Sequence, residues 1–182
     1  MDRKQLLKAL NQYQTSFEEE KSFLPRFKSL LVNFELCYSR SLLSGHITAS
    51  SFIVDHSGCK VMLLHHKKLN RWLQPGGHAD GEEDLRAVAA KEAHEETGLK
   101  NLSLKVPDIF DIDIHLIPAY GNVKVHFHYD VRFLFVGDTG ESFAVSDESN
   151  DVAWVARDQV LLQCNNNKSI HRMVRKTNLI FN

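Results

Sequence analysis

The chain has 182 residues, 43% of them hydrophobic, with a formal net charge of −1; that length suits one domain with an appendage, and the charge removes the general basic footprint of a nucleic-acid binder, leaving at most a local patch. Cys37, Cys59 and Cys164 are odd in number and lack C-x-x-C spacing, so they read as thiols of a reducing compartment and argue against a disulfide frame or zinc-cysteine site. No run of about 18 apolar residues occurs, so the expectation is a cytoplasmic chain without a membrane span.

From Asp2 to about Phe34 the apolar residues recur at helical intervals: Leu6, Leu7, Leu10, Tyr13 and Phe17, then Phe23, Leu24, Phe27, Leu30, Leu31 and Phe34. Asp2-x-x-Gln5 and Ser16-x-x-Glu19 have the form of capping boxes. Pro25 is expected near the start of a further helix, because a proline deep inside one breaks the hydrogen-bond ladder. The segment reads as a helical extension whose apolar face docks on the rest of the chain or on a second copy in a homodimer. A boundary near Ser44 separates this extension, residues 1–44, from the main domain, residues 45–182.

A strand is expected from about His46 to Val54, a turn at Asp55-His56-Ser57-Gly58, and a returning strand over Lys60 to His65. A loop containing His65, His66, Lys67, Lys68 and Arg71 then enters Gly76-Gly77. Its positive charge suits a diphosphate, although a solvated loop explains each residue taken singly.

The glycine turn feeds one helix, from about Asp84 to Thr97. Asp84 suits the N-cap, four alanines favour the helix, and Gly98 suits the stop. At 3.6 residues per turn, Leu85, Val88, Ala89, Glu92, Glu95, Glu96 and Leu99 fall on one stripe. Its first half is the apolar strip of a core-facing helix, and its second half carries three carboxylates. An acidic run is usually a solvated face, but these acids lie where the amphipathic pattern predicts burial or a cleft. Burying three mutually repelling glutamates costs several kcal/mol each without partners, roughly. A hard divalent cation relieves that cost, and Mg²⁺, with Mn²⁺ as a substitute, is commonly shared between carboxylates and phosphates.

Beyond the helix, Phe110 to His115 and His126 to Phe133 each alternate apolar with polar residues, and Pro118, Ala119, Tyr120, Gly121 and Asn122 supply the bend of an antiparallel pair. Asp111, Asp113, His115, His126, His128 and Asp130 then share neighbouring strands, with the His126 and His128 imidazoles on one face about 7 Å apart. Three readings stand: a lining for the substrate cleft, a plain solvent face, and a second metal site of transition-metal type. Asp151 to Ala156 is a further strand. The tail, Arg157 to Asn182, reads as two short helices with a basic outer face, including Arg172, Arg175 and Lys176.

Residues 77–99 resemble the signature of the Nudix hydrolases, G-x5-E-x7-R-E-U-x-E-E-x-G-U, where U is a bulky aliphatic residue. Gly77, Glu83, Glu92, Glu95, Glu96, Gly98 and Leu99 match at the required spacing, and Trp72-Leu73-Gln74-Pro75-Gly76 precedes them as it often does in the family. Lys91 stands where the family has Arg, keeping the charge but losing the planar fork that holds two carboxylates at once. Ala93 replaces the bulky aliphatic. The surroundings look like a bacterial, MutT-like subgroup.

The resemblance implies an α/β/α sandwich with a mixed sheet, within the α/β or α+β class that strands on both sides of one helix already suggest. It implies that Glu92, Glu95 and Glu96 hold the metal, with the Gly77 carbonyl as a further oxygen ligand. Glu92 doubles as a candidate base, and Glu83 holds Lys91 or a metal-bound water. Family members often use one more acid outside the helix; Glu148 is the first candidate and Asp147 the second. Arg71, His78, His126, His128, Asp130 and Asp147 are candidates to touch substrate. The implied reaction is cleavage of a diphosphate bond in a nucleoside diphosphate linked to another group, of nucleotide-sugar or ADP-ribose type. Two alternatives remain at this level: clearance of non-canonical nucleoside triphosphates, and a nucleotide-binding module without turnover.

Overall fold

The computed structural model describes residues 1–119, 121 and 123–181. Tyr120 and Asn122 of the expected bend, and Asn182 at the end of the expected tail, lie outside the described residues.

The long strand β1 (Gly45–Asp55) is the centre of a mixed eight-stranded sheet. It runs parallel to β7 (His126–Gly137) over its whole length, from Gly45 opposite Phe127 to Asp55 opposite Gly137. Its C-terminal half pairs antiparallel with β2 (Lys60–His66), through the expected turn. Its N-terminal half pairs with the short β4 (Gly76–His78), Thr48 opposite His78 and Ser50 opposite Gly76. On one flank, β2 also pairs with β3 (Arg71–Leu73) and β8 (Ser149–Ala156). On the other, β7 pairs with β5 (Ser103–Leu104) and β6 (Asp111–Ile117). The expected loop through Arg71 therefore contains a strand, and so does the glycine turn. These short strands carry no periodic signal, and their neighbours supply the missing hydrogen bonds.

Side chains alternate across the sheet, and the two faces bury different cores. Ile47, Ala49 and Ile53 pack with Leu85, Val88, Ala89 and Ala93 of α3 (Leu85–Thr97), and with Leu6, Leu10, Phe27, Leu30 and Leu31 of α1 (Arg3–Gln12) and α2 (Glu18–Asn33). Phe52 and Val54 pack on the opposite face with Val160 of α4 (Val160–Gln163) and with Ile170, Met173 and Val174 of α5 (Lys168–Phe181). This is the α/β/α sandwich. The N-terminal apolar face docks on the chain's own domain and shares its core.

The Asp2–Gln5 capping box forms as expected. The Ser16 box does not, for α2 begins after Phe17 without a side-chain cap. Pro25 sits inside α2 and not near its start. It leaves a gap in the ladder, and burial of Phe27, Leu30 and Leu31 on the sandwich outweighs a local cost of about 3 kcal/mol. α5, with 14 residues, is not short.

Of the tail's basic residues, Arg172 and Lys176 turn inward, while Arg175 stays exposed. Arg172 donates from Nε and Nη2 to Asp111 at 2.9 and 2.8 Å, and Lys176 lies 2.9 Å from Asp111 and also pairs with Glu20. Arg132 joins Asp111, Asp113 and Asp130 at 3.1, 3.2 and 2.7 Å. Burial alone would raise both carboxyls, but Arg172, Arg132 and Lys176 hold Asp111, and Arg132, a hydrogen bond with His115 and Arg172 hold Asp113, below the usual carboxylate range. This buried ionic network ties α2, β6, β7 and α5 together. It overturns the solvent-face reading of the alternating strands, since Asp111, Asp113, His126 and Asp130 are all buried. A charge enters a core when another of opposite sign meets it there, and strand periodicity alone does not reveal that partner.

Candidate active site

Helix α3 begins at Asp84, whose side chain accepts from the Arg86 and Ala87 amides, and ends at Gly98 in the left-handed conformation. Leu85, Val88, Ala89 and Ala93 fix its inner side against the sheet, and Ser51 Oγ donates to the Ala89 carbonyl at 2.7 Å. That docking orients the three glutamates. Glu96 is buried, Glu92 is half-buried, and Glu95 is exposed and lies 3.7 Å from Lys91.

Glu92 and Glu96 meet the Gly76-Gly77 backbone on the far side. The Gly76 amide donates to Glu96 Oε2 at 2.8 Å. A Cβ added at Gly77 would stand 2.5 Å from the Glu92 carboxyl carbon, so only glycine lets the carboxylate rest there. Burial raises the Glu96 carboxyl to about 7, the Gly76 amide opposes it, and the charges of Glu92, Glu148 and Glu95 add to it. Glu92 is raised by burial and then by Glu95, against the opposing charge of Lys91, with Glu148 and Asp80 adding. Glu148 thus shares the electrostatic space of the two inner glutamates. Its backbone carbonyl is tied to the Lys67 amide at 2.9 Å.

Among the described residues, no lysine or arginine forms an ion pair with Glu92, Glu96 or Glu148. Glu92 and Glu96, crowded and desolvated without a cation, fit a hard divalent ion, whose binding removes both burdens, while Glu148 is exposed and adds only its charge. Glu83 and Lys91 do not pair with each other. Glu83 accepts from the Arg3 amide at 3.2 Å, and Lys91 is spent on Glu95, one turn further along its own helix.

The other expected contact residues divide. Arg71 and Asp147 are exposed, and the Asp147 carbonyl accepts from Lys67 Nζ at 2.8 Å. Asp130 is buried. It accepts from Thr48 at 3.1 Å, from Ser50 at 2.8 and 2.9 Å, and from Arg132 at 2.7 Å, because parallel pairing with β1 presents those hydroxyls to it. His78, His126 and His128 gather with His46, a residue the sequence did not single out. Only the register that sets His46 opposite His128, and the β1–β4 pairing, bring the four together.

That cluster is on the reverse of the sheet. Gly77 and His78 are adjacent on β4 and so face opposite sides. Gly77 meets Glu92 of α3, and His78 meets His46 and His128, with ring centroids 5.2 and 4.9 Å away. Burial lowers the His78 imidazole to about 4, aided by Arg40, His46 and His126. His128 is held well below its ordinary value by burial and then by the surrounding histidines.

A family model described as the NUDIX domain matches residues 45–176. No curated protein matches the sequence. Among solved structures, an Ap4A hydrolase from C. elegans superposes with a TM-score of 0.58 at 19% identity, covering 73% of this chain and 95% of that one. A NUDIX-family hydrolase from Clostridium perfringens gives 0.58 at 24% identity, covering 74% and 97%. A MutT protein from Methanosarcina mazei gives 0.55 at 18% identity, covering 76% and 96%. At these identities the structures establish a common fold.

Proposed function

Because the chain belongs to the NUDIX family of pyrophosphate-bond hydrolases, we propose that its substrate is a nucleoside diphosphate linked to a further group, of nucleotide-sugar or ADP-ribose type. The observation that carries the catalytic part is the pair Glu92 and Glu96, set against Gly77 and Gly76 without a cationic partner.

Glu92, Glu95 and Glu96 would hold a divalent cation, Mg²⁺ or Mn²⁺ in its place, with the Gly77 carbonyl and Glu148 as further oxygen ligands. The ion supplies charge neutralisation for the diphosphate oxygens and makes a bound water more acidic. Glu92 takes the proton of the attacking water, and burial suits it to that role by raising its carboxyl. The water oxygen bonds to phosphorus as the bridging P–O bond breaks, and two monophosphates leave. The Gly76 amide keeps Glu96 oriented while the charge at phosphorus develops. Arg71 and Asp147, both exposed, keep their assignment as substrate contacts, with Lys67 and Lys68 adding positive charge before β3. Lys91 acts on the glutamates through Glu95.

A panel of nucleotides with Mg²⁺ and Mn²⁺, scored by product identity, tests this. Release of two monophosphates from a diphosphate-linked substrate is the expected result. Pyrophosphate or phosphate released only from nucleoside triphosphates would assign the chain to nucleotide clearance, and binding without products would remove turnover.

A further inference from the structure

We propose that His46, His78, His126 and His128 form a binding site for one late divalent transition-metal ion, Zn²⁺ foremost, on the face of the sheet opposite Glu92 and Glu96. Each residue offers one ring nitrogen, and all four nitrogens lie within 4.8 Å of one another. They come from β1, β4 and β7, so the set is assembled by strand pairing and not by a single loop.

The ring orientations carry the argument. A carbonyl oxygen can only accept, so the 3.3 Å contact to Leu42 places the His46 proton on Nδ1 and leaves a lone pair on Nε2. That Nε2 is buried without a hydrogen-bond partner, in a residue only 2% exposed. A bare buried acceptor is costly, and a metal ion answers it directly. His126 repeats the pattern: Nδ1–H donates to the Lys124 carbonyl at 2.8 Å, which frees Nε2. A metal-binding histidine commonly anchors its second nitrogen on a backbone carbonyl in this way.

The spacing agrees. Nε2 of His126 lies 3.2 Å from Nε2 of His128, against about 3.3 Å for two imidazole nitrogens at 2.0–2.1 Å from a tetrahedral centre. Closing the widest separations to that edge takes ring movements of order 1 Å. A donor set of four neutral imidazoles selects the zinc, nickel and copper class and disfavours Mg²⁺, which takes oxygen ligands. Bound there, the ion would cross-link three strands and steady β4, in which Gly77 directly precedes His78.

The test uses the full chain after chelator dialysis, titrated calorimetrically with Zn²⁺ in excess Mg²⁺, alongside Co²⁺ absorption spectra. One Zn²⁺ per chain, and cobalt bands of a tetrahedral nitrogen site, are expected. His126→Ala should weaken Zn²⁺ binding by about 100-fold or more, and His46→Gln by at least about 10-fold. Glu96→Gln should leave it unchanged. Zinc binding lost in Glu96→Gln but kept in His126→Ala would overturn the assignment. Octahedral cobalt bands or no stoichiometric Zn²⁺ uptake by the unaltered protein would also do so, without reliance on any variant folding.

Discussion

Glu96→Gln probes the site through stability as well as rate. The Glu96 carboxyl titrates near 7 in the fold against 4.5 ordinarily, chiefly because it is buried. At about 1.4 kcal/mol for each tenfold in the proton equilibrium, ionising it costs the metal-free fold up to about 3 kcal/mol. The native state holds this proton more tightly than the unfolded chain does. Stability is therefore greatest below about pH 4.5 as far as this group is concerned, and falls as pH rises to about 7. Glutamine keeps the acceptor for the Gly76 amide and removes the charge. Urea unfolding of chelator-treated protein, followed by Trp fluorescence, should find the variant more stable than the parent by up to about 3 kcal/mol near pH 8, with the gap closing near pH 4. Magnesium should close most of that gap at 100 times Kd, where binding stabilises the parent by about 2.7 kcal/mol, and reverse the order at 1,000 times Kd, where it contributes about 4.1 kcal/mol. Magnesium-dependent hydrolysis should be nearly abolished in the folded variant. A pH-independent stability gap, or activity near that of the parent, would refute the reasoning.

Gly77→Ala drives a methyl group into the Glu92 carboxylate; it should cut kcat by more than tenfold on the order of a lost metal-holding contact, while far-UV circular dichroism stays unchanged. Arg172→Ala strips a buried guanidinium from Asp111 and Asp113 and should destabilise the protein by about 3–5 kcal/mol in urea unfolding. Lys91→Ala removes an exposed one-turn pair with Glu95; its cost should stay below about 0.5 kcal/mol, with kcat/KM within roughly threefold of the parent.

Among the described residues, no helix is long and apolar enough to cross a membrane. The acidic helix α3 was legible in the sequence. Its cap at Asp84, its stop at Gly98 and the inward side bearing Val88, Ala89 and Glu96 follow from local hydrogen bonding and 3.6-residue periodicity, which act within a few turns of chain. Pro25 and Ser16 show where such local rules yield, because burial of Phe27 and Leu30 outweighs the local cost of a gap in the helix ladder and a missing cap.

Sequence by itself thus pointed to the reaction class through a resemblance, which Gly77, Glu92, Glu95 and Glu96 carry by their spacing along one turn and one helix. Tertiary structure decided the fate of the polar strand residues. Asp111 and Asp130 became members of an ionic core and His126 and His128 members of a histidine cluster, according to partners some 50 to 80 residues away on β1, β4 and α5. An alternating strand states which side chains share a face. What covers that face is fixed only when strands pair and helices dock, and here the cover is cations at one end and imidazoles at the other.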